Sequence, residues 1–281
     1  MAVPILSELG KLAEPLTVFI KRVSRGIGTL YEPKRIVRKA TAEAKAKLIH
    51  AEADAEVKAI AERARDRAEF IQNRQQANLE SIIRLALPLV QQDQSHEDFD
   101  EDWLIQFMNH AEDVGDSEMQ MIWAKVLSGE YNAKGSFSNR TLHTIKLLRK
   151  AEAELITRFF SFVSILNHDI YAAIYIRPNR LQAFGVTDLT VGQLKDLGII
   201  TETMHYVLPN KEARHRLDYF DKAVFFFKGD RVQFEPTVVF YVVSGIGKEL
   251  FQVAAPVANM EYFAALRASF DLDGIEVIEA K

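Results

Sequence analysis

Gly245-Ile246-Gly247-Lys248 is the stretch of this chain closest to a ligand-binding motif. It follows the apolar run Val238–Val243 and opens a helix, so its backbone amides could meet a phosphate. A phosphate loop of the P-loop type, however, needs four residues between its glycines and a Ser or Thr after the lysine. Here one residue separates Gly245 from Gly247, and Glu249 follows Lys248. A structural turn therefore stands against a phosphate site. His205 and His215, with Glu212 and Asp218, could be brought together by folding, but their spacing fits no metal or acid–base signature. Tyr131, Asn139 and Arg140 could serve a ligand, although Asn and Arg beside a helix cap usually bond backbone carbonyls. The acid cluster Glu97, Asp98, Asp100, Glu101 and Asp102 could hold a cation or form an acid–base couple. More simply, acids in the first turn of a helix oppose its positive end. The zinc-protease HExxH pattern, the EF-hand loop and the G-x-S-x-G elbow are all missing. We expect no catalytic residue, no metal site and no cofactor.

Composition narrows the class. The chain has 281 residues, 48% of them hydrophobic and 26% charged, as in an ordinary soluble protein. Its net charge of −4 argues against a protein that coats nucleic acid. With no cysteine, disulfides, thiol catalysis and cysteine-ligated zinc are excluded, which fits a reducing cytoplasm. No apolar run reaches the roughly 18–20 residues of a membrane-spanning helix, and the N-terminus lacks the pattern of a signal peptide.

The element that must position everything else is a long helix expected over residues 36–87, in a segment 36–90. No glycine or proline lies between Pro33 and Pro88, and eleven alanines fall between Ala40 and Ala68 among alternating charges. These are the strongest helix formers. A helix of that length would run to about 75 Å at 1.5 Å per residue, too long to bury in its own globule. Either it bends, with residues 62–71 the candidate hinge, or it packs against copies of itself. Its larger knobs (Leu48, Ile49, Val57, Ile60, Phe70 and Ile71) keep no strict heptad, so alanine-lined packing of several helices fits better than a two-stranded coiled coil.

Before it, residues 1–35 read as a basic amphipathic arm. Leu12, Leu16 and Phe19 fall on one helical face, with Lys21, Arg22 and Arg25 beside it. Residues 1–39 carry eight basic and three acidic side chains, a net of +5. Such an arm either lies on an anionic membrane surface or packs its leucine face on protein.

After the long helix, residues 91–162 read as a compact helical domain. One helix follows the acid cluster. A second starts near Ser117, with Gln120 completing a weak capping box, and a third is capped by Ser138. Residues 163–281 change period. Ala172–Ile176, Met204–Leu208, Ala223–Phe227 and Val238–Val243 have the composition of strands, and Lys228-Gly229-Asp230 suggests a hairpin between Phe227 and Val232. Thr190–Leu197 reads as a helix capped by Thr190 and stopped by Gly198, and another is expected near Asn259–Phe270 before a last strand near Ile275–Ile278. The fold class expected is α+β, mainly α, with a small C-terminal α+β domain compatible with a winged-helix relative.

The run Gly26-Ile27-Gly28-Thr29-Leu30-Tyr31-Glu32-Pro33, the alanine-rich helix, and Asn73-Arg74-Gln75-Gln76-Ala77-Asn78-Leu79-Glu80 together resemble an uncharacterised bacterial family, domain of unknown function 2806. Met119–Leu127 followed by Gly135-Ser136-Phe137-Ser138-Asn139-Arg140-Thr141-Leu142 is similar to the same family, and more loosely to the abortive infection alpha group associated with phage resistance. The likeness covers most of residues 1–160 and touches the C-terminal part through Ser244–Leu250. It implies no mechanism; a defence role is implied only by analogy.

The functional expectation is twofold. One reading is a non-enzymatic homo-oligomeric scaffold of the bacterial cytoplasm, its partner first of all itself and its other protein partners open. The other is an effector at the inner face of the membrane, acting through the basic arm. An enzyme binding nucleotide at Gly245–Lys248 is a third and weaker reading.

Overall fold

The computed structural model describes residues 16–23, 55–91, 98–175, 181–208, 210, 212–230 and 235–280. The fold is α+β, mainly α, and the chain divides into two compact units, residues 1–146 and 147–281.

The first unit is helical. Residues 16–23 form α1, followed by α2 (Ala55–Ala86), a 3-10 turn (Leu87–Leu89), α3 (Glu101–Ala111), α4 (Ser117–Asn132) and α5 (Asn139–Leu147). The expected long helix is present as α2, which runs through residues 62–71 without interruption for about 48 Å. The expected residues 36–54 lie outside the described residues. Pro88 ends α2 at the predicted place, because it cannot supply the amide the next turn needs. The acid cluster caps α3: the Asp100 carboxylate accepts the Trp103 amide at 2.9 Å, and Glu97 lies outside the described residues. The cap of α4 is Asp116 rather than Ser117, its carboxylate accepting the amides of Glu118 and Met119 at 3.0 Å each. The core is built from Leu79, Ile82, Phe107, Met108, Trp123 and Leu127. Within it the Phe107 ring stacks on Trp103 and meets Trp123 edge-on, with centroids 5.4 and 5.3 Å apart.

The second unit starts earlier than the expected boundary at 162. Helix α6 (Lys150–Phe160) belongs to it, because Phe160 packs edge-on against Phe251 of α8 (Gly245–Ala254). The strands are β1 (Val163–Leu166), β2 (Ile170–Tyr175), β3 (Ile200–Val207), β4 (His215–Tyr219), β5 (Lys222–Lys228), β6 (Thr237–Val243) and β7 (Ile275–Glu279). The described strands form one antiparallel sheet in the order β3-β6-β2-β1-β4-β5-β7. Seven strands exceed the small sheet of a winged-helix module, so that likeness does not extend to this unit. Helices α7 (Asp188–Asp196) and α9 (Met260–Leu272) complete it.

Two local expectations change. The cap of α7 is Thr187, whose hydroxyl accepts the Thr190 amide at 3.3 Å; Gly198 does stop the helix, at φ +73°. Strand β5 does not turn back at Lys228-Gly229-Asp230 to form a hairpin with its successor. It lies between β4 and β7, and the Gly229 amide donates to the Gly274 carbonyl at 2.9 Å. Val232 lies outside the described residues. The sheet is tied to α9 by two tyrosines. The Tyr219 hydroxyl donates to the Ser161 carbonyl (2.6 Å) and accepts the Asn259 amide (2.7 Å), and burial pushes its pKa up to about 12. The Tyr262 hydroxyl donates to the Ile174 carbonyl at 2.9 Å.

Gly247 sits where α8 leaves the sheet. A Cβ there would stand 2.5 Å from Val243 Cγ1 and 2.7 Å from the Ile199 carbonyl oxygen, whereas one on Gly192 would meet nothing within 4 Å. Gly247→Ala should cost about 2 kcal/mol or more in urea unfolding, since strand and helix must separate to admit a methyl. Gly192→Ala, within α7, should leave stability unchanged or raise it by up to about 1 kcal/mol.

Candidate functional site

The sequence-predicted contact residues of the arm fall partly in α1. Leu12 and Arg25 lie outside the described residues. Leu16 is half-buried, Phe19 fully buried and Lys21 exposed. The Phe19 ring meets Tyr131 edge-on at 4.9 Å and lies 6.4 Å from Phe99. Arg22 spans the same aromatic group: its guanidinium lies 5.6 Å above the Tyr131 ring and its Nε is 2.6 Å from an Asp98 carboxylate oxygen. With Ile20 and Val23 also buried, this stretch of arm is turned into the core of the helical unit.

The candidate phosphate loop is built as a packing junction. Ser244 caps α8: its hydroxyl accepts the Gly247 amide (2.9 Å) and donates to the Gly198 carbonyl (2.5 Å). The Lys248 amide closes the first helical turn on the Ser244 carbonyl, and its ammonium donates to the Asp169 carbonyl at 2.8 Å beside the Tyr171 ring. Gly245 remains exposed, and Gly247 is the residue the strand–helix approach requires. Two amides and the lysine are thus already engaged within the second unit.

The histidine candidates lie on different strands. His205 lies on β3, where it pairs with Val239. His215 on β4 is packed between the rings of Tyr206 and Phe226, and burial lowers its pKa. Asp218 is taken by Arg216, in a two-oxygen grip at 2.9 and 3.0 Å from Nε. Among the described residues no group of three or more His, Asp or Glu side chains could hold a metal ion. No helix among them is long and apolar enough to cross a membrane.

What the structure does bring together is a buried polar node in the helical unit. Asn78 on α2 donates to the Glu112 carbonyl at 2.9 Å, and Gln120 on α4 donates to the Val114 carbonyl at 2.8 Å and to Asn78 Oδ1 at 3.4 Å. Ser81 donates to Gln120 Oε1 at 2.8 Å, and Gln75 reaches the Asp113 carboxylate at 3.0 Å. These bonds clamp α2 onto the connection between α3 and α4. Gln120, expected at a capping box, is drawn inward by them. On the other end of α4, the Glu130 carboxylate is only 3% exposed and accepts the amides of Gly135 (2.7 Å) and Phe137 (3.0 Å). The Phe137 carbonyl accepts the Trp103 indole N–H at 2.6 Å, and Ser138 caps α5 through the Thr141 amide. Gly129 faces the Phe137 ring so closely that a Cβ would fall 2.7 Å from it. Tyr131, a candidate ligand contact by sequence, is part of the aromatic core.

Glu130 does not stand out in the sequence. The available signal is a charge seven residues after Trp123, on the inward stripe that Leu127 shares. His110 does not stand out either: its ring lies 5.9 Å from that of His143, its Nδ1 is buried with no hydrogen-bond partner among the described residues, and its pKa is lowered by desolvation, then by Lys146 and His143.

Two variants probe these buried groups. Glu130→Gln leaves one of two buried amides facing an NH2 group, and should cost about 2–3 kcal/mol, while the exposed Glu118→Gln changes stability by about 0.5 kcal/mol or less. A depressed histidine pKa means that the unfolded chain binds the proton more readily. The stability His110 confers is complete above its ordinary value near 6.5 and falls as pH drops toward the lowered folded value. Urea midpoints at pH 7.5 and 5.5 should therefore differ less in His110→Phe than in the native chain.

No curated protein and no solved structure matches the chain. The family model described as Protein of unknown function (DUF2806) matches residues 62–267, from the exposed part of α2 to within α9. That span takes in the polar node, the Glu130–Phe137 turn and the α8 junction, and the chain belongs to this family.

Proposed function

We propose that this protein is a non-enzymatic, homo-oligomeric scaffold or interaction protein of the bacterial cytoplasm. The observation that carries the reading is the exposure of α2. From Lys58 to Arg74 its residues are exposed or nearly so, Ile60, Phe70 and Ile71 among them, whereas from Asn78 onward one face is buried. A helix with so much unpacked length holds its place by packing on something else, since propensity alone contributes little. The absence of a catalytic role is part of the proposal. Its support is that Asn78 and the Gly135–Phe137 turn serve helix packing, as does Gly247 in the first turn of α8.

A place in phage defence rests on the similarity of residues 119–142 to the abortive infection alpha group. The membrane-effector reading draws less support. Phe19, Ile20 and Val23, on the apolar face it would offer to lipid, are covered by protein. Light-scattering mass of the full chain tests the scaffold reading. A defined multimer is expected across micromolar concentrations, and a monomer throughout would overturn it.

A further inference from the structure

Helices α6 and α7 of the sheet unit are anchored by their apolar sides, Ile156, Phe159 and Phe160 on one and Val191 and Leu194 on the other, all buried. Their other sides border a cleft of about 680 Å³. Small-molecule sites span about 300–1,000 Å³. Leu155 of α6 and Leu197 at the end of α7 are half-buried on its walls, and the exposed Glu154, Arg158, Gln193 and Asp196 line it beside them.

Glu154 and Arg158 stand one turn apart in the order that favours an ion pair, and Asp196 lies on the other wall. Yet among the described residues none of the four polar side chains has a hydrogen-bond or ion-pair partner. The third acid of the cleft, Glu152, accepts the Arg149 amide at 2.7 Å as part of the cap of α6. Two carboxylates, one guanidinium and one carboxamide therefore face a common space from two helices that the core holds in place. We propose that this cleft binds a dibasic amino acid of the lysine or arginine type, its two cationic groups on Glu154 and Asp196 and its carboxylate on Arg158.

Charge decides the class of ligand. Two open carboxylates call for two cationic groups, and one open guanidinium calls for a carboxylate, which Arg takes through two parallel N–H bonds. The aliphatic stem that joins these groups in such an amino acid matches Leu155 and Leu197, and Gln193 can serve either kind of charge. A simple diamine would leave Arg158 facing a further cation. An amino acid with a neutral side chain would leave one carboxylate unanswered, and a phosphate would meet two carboxylates. Because all four groups are exposed, each contact is screened by water and salt. Selectivity therefore comes from matching three charges at once rather than from one strong pair. The site lies within the sheet unit, and it adds ligand binding to the scaffold reading without depending on it.

Calorimetric titration of the full chain tests the assignment, with L-lysine, L-arginine, L-leucine and cadaverine (lysine without its carboxylate) as probes. Lysine or arginine should bind, and L-leucine and cadaverine, each lacking one charge-assisted contact, should bind at least about tenfold more weakly. Added salt should weaken the binding of lysine. Arg158→Gln should bring lysine down to the level of cadaverine, whereas Asp196→Asn should weaken both. All these positions are exposed, so the unfolding midpoint of each variant should match that of the native chain. No heat with either dibasic amino acid would overturn the proposal. So would cadaverine binding as tightly as lysine, or lysine binding that Glu154→Gln, Arg158→Gln and Asp196→Asn all leave unchanged.

Discussion

The connections between α3, α4 and α5 leave backbone amides and carbonyls that no helix pairs, and in a buried setting such groups must find partners. Asn78, Gln120 and Glu130 supply them. The Glu112 and Val114 carbonyls go to the two amides, and the Gly135 and Phe137 N–H groups go to the one carboxylate. Everything else in the helical unit is arranged around that requirement. The end of α2 is held because Asn78 holds the turn after α3. The Phe137 ring can lie on α4 because residue 129 is a glycine, and Trp103 is oriented because the Phe137 carbonyl takes its indole hydrogen.

The same logic applies to the two motifs that carry the resemblance in sequence. Asn73–Glu80 and Gly135–Leu142 read in sequence as two polar patches, and polar patches invite a search for ligands. In the structure they are the two halves of a packing device. A buried carboxylate accepting two amides contributes more than a surface ion pair, because its loss would strand two N–H groups away from water. The sheet unit relies on a parallel device of different chemistry. Gly247 lets α8 approach β6, and the Tyr219 and Tyr262 hydroxyls satisfy carbonyls at the ends of α6 and within β2.

Much of the architecture was legible before folding was considered. The alanine-rich composition of α2, the stop at Pro88, the capping acid Asp100, Ser138 before α5 and Gly198 after α7 are local effects, and each is where local chemistry puts it. The strands β1 and β4 were not legible. Val163–Leu166 is four residues long, and His215–Tyr219 alternates polar and apolar residues no more strongly than a surface loop. They become strands because the sheet supplies neighbours on both sides, β2 and β4 for one, β1 and β5 for the other.

By itself the sequence determined that α2, α3, α4, α5, α7, α8 and α9 are helical and where several of them start and stop. All of these depend on contacts within a few residues of the chain. Only the tertiary structure decided that Gln120 turns inward instead of capping, that β5 pairs with β7 across the chain instead of with its successor, and that Glu130 is a buried acceptor and not a surface charge. Those outcomes depend on which distant backbone groups arrive unpaired beside a side chain, and spacing along a sequence does not record that.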